Sequence, residues 1–416
     1  MELYKVLKQL DFERLAGSEG EKKARTIFKG YLSDWKVKFS EHNFQMYTFQ
    51  TGSVVVKANK KSFEGLPLGL VKTAEVTGEL YYMENSEELF CQRGMYKNKI
   101  LLTFQGNAKL AERLKEEEIK AVIYVSAPYR ELSARNLRQK SYEEGAVPAL
   151  SISYDDAKEL SKLSGKKIEL KITQDTKKKK ATNLVVDIPG TGDDRTLTCI
   201  CAHYDSVATS HGSNDNAAGS VVILKIAEYF AKKPPKRDLR IIFFTGEEMG
   251  LLGSYAYTKD NAEELKTRMG ILINVDVSGD DLGINGFNCL GTNEMIGYVD
   301  GIFKEEGLFF TKKLELYSSD CIPFSVYEIP SINLFRSQGE STFHIHTSND
   351  VADKCTQRGL EDTYTATKIL CERLLNSKIY PIKPDIDPSL KEKIETYLYN
   401  MSKQEPKLEW KKKYEK

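Results

Sequence analysis

Five histidines and a scatter of carboxylates at the ends of apolar runs carry the reactive chemistry of this 416-residue chain. "IIFFTGEEMGLLGS", residues 241–254, ends its apolar run at Thr245-Gly246 and then delivers two adjacent carboxylates, Glu247 and Glu248. A short apolar run without alternation reads as a strand buried on both faces. Two like charges at its mouth raise their pKa values or demand compensation. Similar runs end nearby in chemistry. Leu197–Ala202 leads into His203 and Asp205 of "HYDS", Ile271–Val277 carries Asp276, and Ser331–Phe335 leads through "RSQGESTFHI" to His346. In "SNDNAAGS", Asp215 stands just before a helical pattern, where the dipole and free amides favour an anion. Singly, each piece has an ordinary reading as a turn, a cap or a chance pair. Together they converge on the carboxyl ends of strands, where open α/β sheets bind ligands. Imidazole plus carboxylate suits zinc-like divalent ions, and such ions would offset the crowded charge.

The elements that must position these groups follow from periodicity. Strands are expected at Asn183–Ile188, Leu197–Ala202, Arg240–Thr245, Ile271–Val277 and Ser331–Phe335. Helices are expected at Glu19–Asp34, Ala217–Lys232, Glu248–Thr258, Asn293–Glu306 and Cys355–Leu375. This alternation predicts an α/β layer structure whose mixed sheet is mostly parallel and flanked by helices. Residues 52–176 differ: short strands such as "VTGELYYM", "NKILLTFQG" and "VPALSIS" accompany a charged helix, Lys109–Glu118. They read as an inserted β-rich module, leaving 1–51 and 177–380 as the α/β domain. Its exit, "TQDTKKKKATN", reads as a solvated polar linker rather than a nucleic-acid patch. Residues 381–416 supply an amphipathic helix (Leu390, Ile394, Tyr397, Leu398 and Met401) and a basic tail, "LEWKKKYEK". The helix must dock on its own chain or on a second subunit, and the former is the expectation.

Composition narrows the function. Sixty-one Lys+Arg against 60 Asp+Glu leave a net charge of +1, so no global field favours nucleic acid or a membrane surface. No stretch approaches a membrane span and no signal-peptide core opens the sequence. The seven cysteines are odd in number and scattered, with Cys199 and Cys201 alternating along one strand. That points to reduced thiols and a cytoplasmic protein.

"AHYDS", "SNDNAAG", "FFTGEEMGLLGS", "NVDVSG", the "SD" of 319–320 and "HTSND" resemble, in order and spacing, the signature segments of the M28 family of zinc peptidases. The resemblance runs to about residue 376, and the inserted module is similar to a protease-associated domain. It implies two zinc ions, with Co2+ or Mn2+ as alternatives. His203 and Asp276 would bind one, Glu248 and His346 the other, and Asp215 would bridge them. It also implies Asp205 as the carboxylate that holds His203, and Glu247 as general base acting on a metal-bridging water. A cis peptide is frequent in the family between the bridging Asp and the residue that is Asn216 here. The implied activity is an aminopeptidase acting on peptides.

Two departures stand out. Many members carry Tyr immediately before the last His, where this chain has Ile345; Tyr317 is a substitute. "HIH" offers both His344 and His346, and the following Thr-Ser-Asn-Asp favours His346, leaving His344 to line the cleft. His211 reads as a loop residue and His42 as structural. Alternatives on the same scaffold are a carboxypeptidase or dipeptidase, with Arg336 gripping the substrate carboxylate, a glutaminyl cyclase, or a binding protein with a silent metal site. An aminopeptidase needs an acidic group for the free amine, for which Asp280 or Asp281 is the candidate. Homo-oligomerisation and the preferred N-terminal residue are left open.

Overall fold

Burial on both faces explains why the apolar runs become strands. The computed structural model describes residues 1–106, 113–402, 406 and 408. Its strands are β1 (Phe39–Ala58), β2 (Lys61–Pro67), β3 (Ala74–Tyr82), β4 (Ile100–Thr103), β5 (Ala121–Val125), β6 (Ala149–Ile152) and β7 (Lys167–Ile188). They continue as β8 (Leu197–His203), β9 (Asp238–Phe244), β10 (Met269–Val275), β11 (Ile284–Leu290), β12 (Thr311–Leu314) and β13 (Ser331–Ser337).

The inner part of the sheet runs β7-β9-β8-β10-β13-β11-β12. Neighbours are parallel from β9 through β8 and β10 to β13, whereas β7 on β9 and β11 on β13 are antiparallel. This is a mixed sheet with helices on both sides. Along β8, Ile200 and Ala202 enter one apolar cluster, and Leu197, Cys199 and Cys201 enter the other. The helices Leu3–Gln9, Glu19–Asp34, Ala218–Lys232, Asn293–Glu305 and Gln357–Asn376 cover the first face. Leu252–Asp260, Ala262–Arg268, Cys321–Ser325 and Pro388–Ser402 cover the second. Each fully buried Leu, Ile, Val or Phe there contributes roughly 1.5–3 kcal/mol. Side-chain caps start several helices: Ser18 accepts the Glu21 amide at 3.1 Å, and Thr356 accepts the Gly359 amide at 3.1 Å.

The expected polar linker does not exist. Lys177–Lys180 lie inside the 22-residue strand β7, paired antiparallel with β1 from Phe39↔Val186 to Lys57↔Glu169. The four lysines are exposed because this two-stranded ribbon is open to water, so solvation was legible and strand pairing was not. The ribbon ties the two regions together: near Leu184–Ile188, β7 borders β9, and near Lys167–Ile172 it borders β3. The middle segment, residues 59–166, carries β2, β6, β5, β4 and β3; it builds one apolar core of its own and shares another with Val54–Ala58 of β1 and Ile168–Ile172 of β7.

Smaller differences have local causes. The helix expected from Glu248 begins at Leu252, because Gly246, Gly250 and Leu251 take positive φ (77°, 103° and 60°) and form a turn. The strands β11 and β12 were missed, since "INGFNCL" lacks a clean apolar pattern. The N-terminal half of the helix expected at Lys109–Glu118 and nearly all of the basic tail lie outside the described residues. Leu390, Ile394 and Leu398 pack into the second core cluster of the same chain, as expected for intramolecular docking.

Candidate metal centre

The carboxyl ends of β8, β9 and β10 bring the expected groups together. Two clusters form, His203–Asp215–Asp276 and Asp215–Glu248–His346, and within each all the ligand atoms lie within 4.8 Å of one another. Asp215 belongs to both. Its two oxygens divide the work, Oδ1 at 3.2 Å from Nε2 of His203 and Oδ2 at 3.1 Å from Nε2 of His346. Asp276 Oδ1 lies 3.6 Å from His203 Nε2, and Glu248 Oε2 lies 3.2 Å from His346 Nε2. Glu248 Oε1 and Asp276 Oδ1 are buried without a hydrogen-bond partner. Burying a polar oxygen unpaired is costly. Nitrogen and carboxylate donors converging at this spacing fit a divalent ion of the zinc type.

Backbone geometry explains the convergence. Asp215 sits in the irregular turn before Ala218–Lys232, with a cis peptide to Asn216. Asp350 of "HTSND" accepts the amides of Asn214 (2.7 Å) and Asp215 (3.1 Å). Asn214 Oδ1 in turn accepts the amides of Ser278 (3.1 Å) and Gly279 (2.8 Å), and Asn216 Nδ2 donates to the Val275 carbonyl at 2.8 Å. These bonds knit the "SNDN" turn to the segment carrying Asp276. Asp205 accepts the amides of Glu247 and Glu248, each at 3.3 Å, and its Oδ1 is 3.6 Å from Nδ1 of His203. Arg14, fully buried, donates to the carbonyls of Leu10, Phe12, Tyr204, His211 and Gly212 and so anchors the loop after β8.

The electrostatics match a site that expects cations. Burial pushes the Glu247 carboxyl well above its ordinary range, and the nearby Glu248, Asp320 and Asp276 push further against the pull of His203. Burial raises Glu248 and carries Asp320 to about 7. Asp215 goes the other way despite burial, because His203 and His346 hold it ionised. Burial opposes the imidazolium of His203, but hydrogen bonds with Asp205, Asp215 and Asp276 outweigh it; the Glu248 charge chiefly raises His346.

The clusters form one wall of a cavity of about 380 Å³ that Glu247 also lines. Among the described residues the Glu247 carboxylate makes no side-chain hydrogen bond or ion pair. Tyr317 and Ile345 line the cavity as well. So do Arg138 from the middle segment and Tyr397 and Met401 from the C-terminal helix, none of which sequence reasoning assigned to the site. Nothing local marks them, since Arg138 stands about 65 residues before His203 in another segment and the other two stand on an ordinary amphipathic helix.

Other candidates belong elsewhere. Arg336 is buried and donates to the carbonyls of Asp280 (2.6 Å) and Asp281 (2.7 Å) and to Asn285 Oδ1 (2.9 Å), so it does not face the cavity. Asp280 accepts from Gly339, Ser341 and Thr342, and Asp281 from Thr356, and neither residue lines the cavity described above. Glu340–Phe343 form a short helical turn, so His344 and His346 do not share a strand face; His344 Nδ1 pairs with Glu131 at 3.2 Å instead of lining the cleft. His211 pairs with Asp11 on its loop, and His42 lies between Asp260 and Asn183.

Comparison with known proteins agrees with this geometry. Residues 183–368 match the profile of peptidase family M28. The chain is 25% identical over 276 residues to aminopeptidase YwaD of Bacillus subtilis, covering 64% of this chain and 58% of that protein. It is 24% identical over 314 residues to leucine aminopeptidase 2 of Trichophyton equinum, covering 70% and 62%. The chain thus spans less than two thirds of either relative. The structure of a zinc aminopeptidase from Bacillus subtilis superposes with a TM-score of 0.76 at 22% identity, over 93% of this chain and 98% of that one, which establishes a shared fold.

Proposed function

We propose that this chain, whose residues 183–368 carry the M28 peptidase pattern, is a metal-dependent aminopeptidase that hydrolyses the N-terminal peptide bond of peptides. One observation carries the reading. Two candidate ligand clusters share Asp215 at the wall of a cavity lined also by Glu247, whose carboxylate has no hydrogen-bond or ion-pair partner among the described residues. His203 and Asp276 would hold one zinc ion and Glu248 and His346 the other, with Asp215 common to both. Co2+ or Mn2+ would suit the same donors. Ions bound there would supply Lewis-acid polarisation of the scissile carbonyl and a lower pKa for the attacking water.

The chain's own residues would do the rest. Glu247 takes a proton from the attacking water as its oxygen bonds to the carbonyl carbon. It then returns that proton to the amine nitrogen as the C–N bond breaks. Asp205 orients the His203 ring and clamps the turn that presents Glu247. Tyr317 lines the cavity, and its phenol O–H would donate to developing negative charge in place of the Tyr that Ile345 replaces. Tyr397 and Met401 would shape the pocket for the N-terminal side chain. The middle segment fits a protease-associated-like insertion, within 52–176. All seven cysteines are free thiols, six of them buried, which supports a reducing compartment such as the cytoplasm.

A second reading has its own observation. Arg138 lines the cavity, donates to the Asn400 carbonyl at 2.5 Å and pairs with no carboxylate among the described residues. A guanidinium so placed suits a substrate carboxylate, as in a dipeptidase or carboxypeptidase. Two substrates separate the readings on metal-loaded protein: a leucyl peptide with free amine and C-terminal amide, and its N-acetylated counterpart with a free carboxylate. Cleavage of the first alone supports the aminopeptidase. Cleavage of the second alone moves the assignment to a carboxypeptidase.

A further inference from the structure

The two candidate metal positions are built from different material. His203, Asp215 and Asp276 are all buried and stand at strand ends or on the turn knitted to them. The Asp276 amide donates to the Leu334 carbonyl at 2.9 Å, and Ser220 Oγ donates to the His203 carbonyl at 2.8 Å. Every one of these anchors belongs to the α/β layers. The second cluster shares Asp215 but takes Glu248 and His346 from two loops, and although the Glu248 side chain is buried, that of His346 is 40% exposed. His346 sits at φ 62°, where residues other than glycine are uncommon.

One stretch of the middle segment grips both loops. Asn136 Nδ2 donates to the Glu248 carbonyl at 2.9 Å, and the Ala134 amide donates to the His346 carbonyl at 2.9 Å. Arg130 Nη2 donates to the Ile345 carbonyl at 2.8 Å. Glu131 pairs with His344 and accepts from Asn349, bracketing His346 on either side. The stretch is itself tied down, because Gly69 donates its amide to Arg135 (2.8 Å) and accepts the Leu137 amide (2.8 Å). A Cβ on Gly69 would run into the Asn136 side-chain oxygen and the Phe49 ring. The sequence places a glycine where this approach requires one.

We infer that Glu131 and Asn136 are positioning residues for the second ion alone, so that the middle segment sets its affinity while the first ion binds without that help. The inference rests on the metal-binding reading of the site. Its cause is entropic. Ligands on strand ends are already ordered, whereas ligands on loops must be fixed when the ion binds unless something has fixed them beforehand. Hydrogen bonds to the carbonyls of Glu248 and His346 do this without touching the ion.

The test is a titration of metal-free full-length protein with Co2+, followed by calorimetry and by the visible absorption of the bound ion. Wild type, Asn136→Ala, Glu131→Ala, Glu131→Gln and Gly69→Ala are compared, with circular dichroism and thermal melting of each metal-free protein. In the Asn136, Glu131→Ala and Gly69 variants the first equivalent is expected to bind as in wild type and the second about 10- to 100-fold more weakly. Glu131→Gln, which keeps an acceptor for Asn349, is expected to fall between wild type and Glu131→Ala. A second equivalent of unchanged affinity overturns the inference, as does equal weakening of both, which would mark a general loss of structure. Absence of Co2+ binding to wild type would overturn the metal-binding reading itself and the inference with it.

Discussion

Asp205 Oδ1 lies 3.6 Å from Nδ1 of His203, and the same carboxylate receives the amides of Glu247 and Glu248 at 3.3 Å each. One side chain therefore touches His203 of the first cluster and the backbone of both Glu248 of the second and Glu247 beside it. Asp205→Asn leaves a single oxygen to accept two amides and turns an NH2 group toward a third donor. Metal affinity is expected to fall about 10- to 100-fold, with kcat falling more than KM rises. Competition with a chelating dye and steady-state kinetics check this.

Arg336 serves the fold. Arg336→Met strips hydrogen bonds from the buried Asp280 and Asp281 carbonyls. It is expected to lower stability by about 3 kcal/mol, read from the urea midpoint. The ratio of kcat/KM for free-acid and amidated peptides should not change. A change in that ratio would return Arg336 to the substrate site.

Removing the ions exposes the carboxylate crowding. Protein treated with a chelator is expected to melt several degrees lower, and Zn2+ restores the difference, because ligands that bind the folded state alone stabilise it by about 4 kcal/mol at a thousand times their Kd. Differential scanning calorimetry at matched ionic strength measures this.

Tyr397 forms a cavity wall, its hydroxyl 2.6 Å from Ser318 Oγ. Tyr397→Ala opens that wall. Preference is expected to move toward bulkier N-terminal residues by about tenfold in the ratio of kcat/KM, comparing phenylalanyl with alanyl amides.

Much of the site was readable because the candidate ligands His203, Glu248 and Asp276 stand at or within a few residues of the end of an apolar run. The runs specify buried parallel strands, and parallel strands deliver their carboxyl ends to one edge. His203, Asp205, Glu247, Glu248 and Asp276 are legible in that sense, and Asp215 through the helix it precedes. Asp350 was visible in "HTSND" but carries no local signal of its amide-capping role. Asn136, Glu131 and Arg138 act across long sequence separations, where no periodicity helps. The lysine run of β7 misled for another reason, since Lys177–Lys180 are exposed at four successive positions and so show no alternation. Arg336, Asp280 and Asp281 misled because polarity near a strand end does not distinguish a ligand from a loop clasp.

Glu247→Gln, with metal content measured on the same samples, bears hardest on the proposed chemistry. The substitution preserves shape and hydrogen-bonding capacity but removes the base. The expected result is a loss of about 10²- to 10⁴-fold in kcat on a free-amine leucyl amide, with the metal content of wild type retained. Near wild-type turnover by the metal-loaded variant would contradict the role of Glu247 and with it the mechanism.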